Sequence, residues 1–158
     1  ASFLAEAKAQ GKTTGLIVGC FDILHKGHID FLRQAKKHVD VLVVGVDRDE
    51  TVKLKGSGRP VNDLGSRCEV LAELINVDLI FPIPFILPEY TASVENVSMF
   101  EGLTRVIKPD YLITNQIADD FWQEKASRAE RLGIGYLGLE IERPTSSSKI
   151  AEQIQKEI

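Results

Sequence analysis

The sequence predicts an α/β domain of the doubly wound kind with a five-stranded parallel sheet, and three observations predict it. Apolar, β-rich runs alternate with stretches of helical period along the 158 residues, the pattern that places crossover helices between parallel strands. A chain of this length at 44% apolar content can fill one core and is too short for two, so residues 1–158 are taken as a single domain with residues 1–12 as an N-terminal extension. A turn rich in glycine and histidine follows the first apolar run and leads into a helix, a combination suited to phosphate.

The strands are expected at Thr14–Val18, Val41–Val46, Val77–Phe81, Tyr111–Thr114 and Ile134–Ile141. Between the first and second, Phe31, Leu32, Ala35 and Val39 share one face while Arg33, Gln34, Lys36 and Lys37 face away, the pattern of a helix packed on a sheet. Leu64, Cys68, Leu71, Ala72 and Ile75 repeat it, as do Val94, Val97, Phe100, Leu103 and Ile107. A further helix carries Ala118, Phe121, Trp122, Ala129 and Leu132 and stops at Gly133, a residue suited to the left-handed position after a helix. Ile150, Ile154 and Ile158 line the last helix, with serines ahead of them to cap it. Pro82, Pro84 and Pro88 exclude helix and central strand, so 82–90 is read as an extended loop with Ile83, Phe85, Ile86 and Leu87 tucked inward. Such a loop either walls a pocket at the carboxyl end of the sheet or simply covers core.

Composition narrows the function. Lysine and arginine number 19 against 23 acidic residues, a net charge of −4, so the chain as a whole is no binder of nucleic acid, and any phosphate must be held by a local cluster. Two cysteines, Cys20 and Cys68, stand in unrelated contexts and offer neither a disulfide framework nor metal-ligand spacing, which makes a reducing cytoplasm the default. No apolar run approaches the roughly 20 residues needed to span a bilayer, and the first ten residues lack the continuous apolar core of an export signal. Gly11-Lys12-Thr13 ends like a Walker loop, but Glu6 stands where its first glycine belongs and no strand precedes it, so it is read as a turn.

The chemistry lies in Gly19-Cys20-Phe21-Asp22-Ile23-Leu24-His25-Lys26-Gly27-His28. Imidazoles three residues apart at a helix start lie on one side, beside backbone N–H groups that attract anions. Gly27 lets the backbone approach a ligand, and Gly19 keeps the strand end unobstructed. With the Gly-x-Phe-Asp stretch ahead of it, this segment resembles the His-x-Gly-His motif of the cytidylyltransferase-like nucleotidyltransferases, and the resemblance runs from Thr14 through the C-terminal helix.

The resemblance implies a Rossmann-like fold and in-line transfer of a nucleoside monophosphate from a nucleoside triphosphate, with Mg2+ as cofactor and pyrophosphate released. In that reading His25 and His28 donate to the phosphates and, with Lys55, form the catalytic group, while Gly19, Cys20, Phe21, Asp22 and Gly27 contact the nucleotide. Asp22 either helps place the magnesium or serves a local turn or cap. The basic stretch Lys53-Leu54-Lys55-Gly56-Ser57-Gly58-Arg59-Pro60-Val61-Asn62 resembles that of the ADP-heptose synthases, a sugar-phosphate adenylyltransferase branch. It implies that Lys53, Arg59 and, on the next helix, Arg67 hold an acceptor phosphate, with Arg59 across the pocket from the histidine helix.

Arg143-Pro144-Thr145-Ser146-Ser147-Ser148-Lys149 resembles the Ile-Ser-Thr-Thr-Lys segment of glycerol-phosphate cytidylyltransferases, which assigns Thr145, Ser146, Ser147 and Ser148 to the triphosphate tail. Thr114-Asn115-Gln116 replaces the family's Gly-Asp-Asp or Gly-Gly-Asp turn; Thr114 and Asn115 are placed at the nucleobase, and the choice between AMP and CMP stays open. The acceptor is a sugar, polyol or amino-alcohol phosphate, and the resemblance implies a homodimer. A non-catalytic nucleotide-binding module of the same fold is the alternative. A class I aminoacyl-tRNA synthetase, with a related histidine motif, needs domains for which the chain has no room, and its net acidity disfavours tRNA.

Overall fold

The computed structural model describes residues 2–142 and 145–157. Strands β1 (Thr14–Gly19), β2 (Val41–Val46), β3 (Leu79–Pro82), β4 (Tyr111–Asn115) and β5 (Gly135–Leu139) form one parallel sheet in the order β3-β2-β1-β4-β5. Every residue of β2 is buried, as a strand covered by helices on both faces must be. Its side chains alternate: Leu42, Val44 and Val46 enter one core cluster with Phe31, Leu32, Ala35 and Leu71. Val41 and Val43 enter a second with Leu16, Leu112 and Ala129, so the sheet is wound on both sides as the sequence predicts.

The helices are α1 (Ser2–Ala9), α2 (Lys26–Lys36), α3 (Asp49–Lys53), α4 (Leu64–Ala72), α5 (Val94–Ile107), α6 (Trp122–Leu132) and α7 (Ser147–Glu157). Residues α2 and α4 contribute line the first cluster; α1, α5 and α6 contribute to the second. None of the described helices is long and apolar enough to cross a membrane.

The relation of β1 to its two neighbours positions the site. With β2 it keeps register over its whole length, Thr14↔Val41 through Gly19↔Val46. With β4 it pairs only at Gly15↔Tyr111 and Leu16↔Leu112. Beyond Leu16 the two strands part toward their carboxyl ends, where the strand order reverses, and a cleft opens at this switch point.

Several boundaries differ from expectation. Helix α4 ends at Ala72 and successive turns follow, with Leu74 N–H bonded to Leu71 O and Val77 N–H to Leu74 O, so β3 begins later than Val77. Ile75 therefore leaves the helical face and stands 94% exposed. Val94, first residue of α5, and Ile154 on α7 are also exposed rather than buried. Helix α6 begins at Trp122 instead of Ala118, because Asn115 O collects Ala118 and Asp119 N–H into a turn. The loop after β2 contains the short helix α3, which takes in Lys53. Within the N-terminal extension, Ala7 and Leu4 of α1 pack into the second core.

The proline-rich loop is a wall. Pro82 ends the edge strand β3; Ile83 and Leu87 are buried, anchored by Arg48 Nε donating to Ile83 O and Leu87 N–H donating to Thr51 Oγ1, while Ile86 points outward. Leu87 and Tyr90 line the cleft.

Candidate active site

The cleft is a cavity of about 690 Å³ at the carboxyl ends of β1, β2 and β4. Its floor is the histidine turn. Gly19 closes β1, where a Cβ would come within 3.0 Å of the Phe21 ring. Phe21 is 5% exposed and takes a left-handed backbone (φ 49), a strained conformation of the kind held at functional sites by surrounding packing. Its ring lies 5.5 Å from that of His28.

His25 is the N-cap of α2, and its Nδ1 accepts the Gly27 N–H at 3.1 Å. A nitrogen that accepts carries no proton, so with this bond made the ring carries its proton on Nε2. The rings of His25 and His28 lie face to face but tilted by 33°, centroids 3.9 Å apart, beside the first turn of α2, where backbone N–H groups and the helix dipole favour an anion. His25, Gly27 and His28 all line the cavity.

Asp22 does not fit the metal-ligand expectation. Its carboxylate forms a 2.9 Å ion pair with Arg59 and accepts the Val61 and Asn62 N–H groups, while its carbonyl accepts Asn62 Nδ2. Burial would raise its pKa, but the hydrogen bonds from Asn62, Val61 and Arg59 outweigh burial and hold it below the usual range. Both oxygens are thus engaged in fastening the basic loop to the histidine turn. Among the described residues no group of three or more His, Cys, Asp and Glu is placed to hold a metal ion.

The basic residues separate into three fates. Lys55 reaches the cavity, with Nζ 3.4 Å from Cys20 Sγ and 4.5 Å from the Tyr90 ring centroid. Burial of its head works against the charge, but Cys20, Tyr90 and Asp47 around it prevail and hold its pKa above the ordinary lysine value. Arg59 also lines the cavity, bridging Asp22 and Ser148 Oγ, so it stands against both the histidine turn and the start of α7 rather than across from them. Lys53 is exposed on α3 and does not border the cavity.

Arg67 corrects the sequence reading. It is 1% exposed, and its guanidinium donates to Asn62 O, Cys20 O, Asp47 O and the Asp49 carboxylate. It ties the loops after β1 and β2 together from beneath, with four of its five N–H donors spent on the protein itself and the side chain buried away from an acceptor phosphate.

At the start of α7, Ser146, Ser147 and Ser148 line the cavity, Ser147 Oγ donates to Ile23 O, and Ser146 Oγ accepts Lys149 N–H. Thr145 is half-buried and not part of the lining; Arg143 lies outside the described residues. On the other side Thr114 Oγ1 is bonded to Tyr136 OH, and the Asn115 amide is spent on Ile141 N–H and O. Both border the cavity, but their side chains chiefly join β4 to β5.

Sequence reasoning missed half the wall. Asp47, directly after β2, is 6% exposed, and burial raises its pKa against the pull of Lys55, Lys125 and Arg67. A carboxylate at the carboxyl end of a wholly apolar central strand is a signal that was there to be read. Asn96, Phe100, Asp119, Lys125 and Arg128 also line the cavity, and nothing in the local pattern marks them as site residues, whereas Tyr90 ends the loop read as a candidate wall.

A parallel sheet whose switch-point cleft gathers paired imidazoles, two helix N-termini, two lysines and two arginines is a domain of the nucleotide-binding α/β class. The family profile described as cytidylyltransferase-like matches residues 16–153, and the chain belongs to that family. Over 88 residues it is 47% identical to the bifunctional protein HldE of Haemophilus influenzae strain PittGG, a match covering 55% of this chain and 18% of that protein. Over 76 residues it is 53% identical to the bifunctional protein HldE of Pasteurella multocida strain Pm70, covering 48% of this chain and 16% of the other. The match thus takes in less than a fifth of these relatives' length. Among solved structures, a lipopolysaccharide core biosynthesis protein from Thermoplasma volcanium GSS1 superposes with a TM-score of 0.63 at 29% identity, over 85% of this chain and all of that one. A bifunctional NMN adenylyltransferase/ADP ribose pyrophosphatase from Francisella tularensis shares the fold, with a TM-score of 0.67 at 12% identity over 93% of this chain and 43% of the other.

Proposed function

We propose that this domain is a nucleotidyltransferase that moves AMP or CMP from a nucleoside triphosphate to a small phosphorylated acceptor: a sugar, polyol or amino-alcohol phosphate. The observation that carries the reading is the His25–His28 pair at the N-terminus of α2, opening on the switch-point cleft.

In the reaction an acceptor phosphate oxygen forms a bond to the α-phosphorus, the bond from that phosphorus to the α–β bridging oxygen breaks, and pyrophosphate leaves with the electron pair. Charge grows on the equatorial and departing oxygens, so donors fixed in advance lower the barrier without a covalent enzyme intermediate. His25 Nε2–H and His28 supply such donors. Lys55, whose Nζ lies against Cys20 of the histidine turn, brings a cation to the same cavity. The serines and backbone N–H groups at the start of α7 receive the β- and γ-phosphates, and Arg59, held against Ser148, joins them at the triphosphate rather than at the acceptor. Thr114 and Asn115 border the region we assign to the base.

The side chains fit poorly as a magnesium cage, since both Asp22 oxygens are engaged, and no step is routed through the ion. Mg2+ is expected to arrive on the triphosphate oxygens themselves. We take residues 1–158 as one such domain, a homodimer acting in the cytoplasm.

The test is pyrophosphate release over a matrix of nucleoside triphosphates and phosphorylated acceptors. Turnover with a CTP or ATP pair, lowered about a hundredfold or more by His28→Ala in a folded protein, supports the assignment. Triphosphate binding without turnover on any acceptor favours the non-catalytic module instead.

A further inference from the structure

Arg67 and Arg128 are equally buried, 1% and 2% exposed, and used in opposite ways. Arg67 spends its guanidinium on three carbonyls and a carboxylate. Arg128, on α6, has no hydrogen-bond partner for Nε or Nη1 among the described residues. Its guanidinium lies over the Phe100 ring at 5.2 Å, and its nearest countercharge is Glu124 at 3.5 Å. Glu124 is shared with Arg131, which also reaches Glu101, which in turn pairs with Arg105. Three guanidiniums thus share two carboxylates, and the next acid near Arg128, Asp119, is already paired with Lys125. A buried cation with unmade hydrogen bonds is costly, and native proteins keep such groups where something else completes them.

A second incomplete group stands on the same wall. Asn96 is 2% exposed, and its Nδ2 donates to Glu89 O and Thr91 O at 2.8 Å while Oδ1 accepts nothing among the described residues. Asn96 and Phe100 are four apart on α5 and so share a face; both border the cavity, as does Arg128. One wall therefore offers a bare acceptor, an aromatic ring and a guanidinium with Nε and Nη1 unbonded among the described residues.

We propose that this wall binds the far end of the acceptor, and that the acceptor carries a second anionic group, a carboxylate or phosphate, held by Arg128 beside a hydroxyl or N–H received by Asn96 Oδ1. The inference rests on the reading of the cavity as a nucleotidyl-transfer site and names the acceptor class within it. The triphosphate has its own partners in the histidine turn and α7, and a nucleobase brings no negative charge to a buried cation. A carboxylate or phosphate matches the guanidinium fork in both charge and shape.

The probes are matched acceptors: glucose 1-phosphate against glucuronic acid 1-phosphate and glucose 1,6-bisphosphate, and glycerol 3-phosphate against 3-phosphoglycerate. Each is read by pyrophosphate release and by thermal stabilisation of the protein. The doubly anionic member of a set is expected to show kcat/KM about tenfold higher or more. Carboxylate and phosphate arms tell the two anions apart. Arg128→Met and Arg128→Gln should bring that ratio to about one and abolish the extra stabilisation, while binding of a non-hydrolysable triphosphate is kept. The unliganded Arg128→Met protein should melt at the same temperature as wild type or higher, because it loses a buried charge whose hydrogen bonds are unmade and leaves Glu124 still paired with Arg131. A wild-type enzyme indifferent to the second anion overturns the inference. So does an Arg128→Met protein that is destabilised and loses both members of a pair equally, or one that changes triphosphate base selectivity instead. Should no acceptor be turned over, anion-dependent stabilisation that disappears in Arg128→Met keeps the subsite while the transfer reading fails.

Discussion

Asp22 and Arg59 meet at 2.9 Å with the Asp22 carboxylate 1% exposed, and through this pair the loop after β2 is fastened to the histidine turn after β1. Hydrogen bonds from the Asn62 and Val61 N–H groups and from Arg59 overcome the effect of burial and keep the Asp22 pKa lowered. A lowered folded pKa means stability that is present above the unfolded value and lost as pH falls through the folded one. Asp22→Asn is expected to cost about 3 kcal/mol near neutral pH, since it leaves Arg59 without its countercharge. Urea titrations should show the wild-type advantage shrinking below about pH 4. An advantage that stays constant into strong acid would mean that the carboxylate's charge contributes nothing.

His25 has two jobs, and substitution can part them. As N-cap it takes the Gly27 N–H on Nδ1; in the proposed transfer its Nε2–H is the donor. Asparagine caps helices well but lacks an imidazole. His25→Asn is therefore expected to melt near wild type and lose most pyrophosphate release, whereas His25→Ala also loses about 1 kcal/mol of stability. Wild-type turnover by a folded His25→Asn enzyme would confine this histidine to capping.

What was legible in the sequence was what local pattern encodes. The continuous burial of β2 and the histidine turn follow from an unbroken apolar run and from glycine and histidine at fixed offsets, and both stand where expected. The fates of Arg59 and Arg67 were not legible, because their spacing is the same whether a side chain points to a ligand or to carbonyl groups beneath a loop. Only the fold brings Cys20 O, Asp47 O and Asn62 O together around Arg67. Lys125 and Arg128 share the difficulty from the other side: charged residues on an amphipathic helix read as solvent-facing, and tertiary packing turns these two into the cavity wall.

Arg67 and Arg59 should therefore respond differently to removal. Arg67→Met, which strips four hydrogen bonds from beneath the site, is expected to destabilise the fold by about 3–5 kcal/mol. Arg59→Lys keeps a charge near Asp22 but cannot span to Ser148 as a planar fork. It should melt within a few degrees of wild type and weaken triphosphate binding more than acceptor use, read by titration calorimetry and acceptor kinetics. An Arg59→Lys enzyme impaired only toward the acceptor would return this arginine to the acceptor side.

Asp47 is where stability and activity should move in opposite directions. It sits directly after β2, 6% exposed, and burial raises its pKa in spite of Lys55, Lys125 and Arg67. For an acid raised in the fold, the ionised form is disfavoured there, so stability is withheld as pH climbs from the unfolded value toward the folded one. Asp47→Asn keeps the shape without the charge. Its melting temperature is expected to match wild type below about pH 4, where both side chains are neutral, and to exceed it increasingly toward neutral pH. Activity should fall, by about tenfold in kcat/KM, because the carboxylate field that helps hold the Lys55 ammonium over the cavity is gone. Melts across the acid-to-neutral range, paired with pyrophosphate assays, decide the matter. An Asp47→Asn protein that melts lower than wild type near neutral pH would show that Asp47 supports the fold as an anion, with Lys55 and Lys125 supplying more than its burial costs.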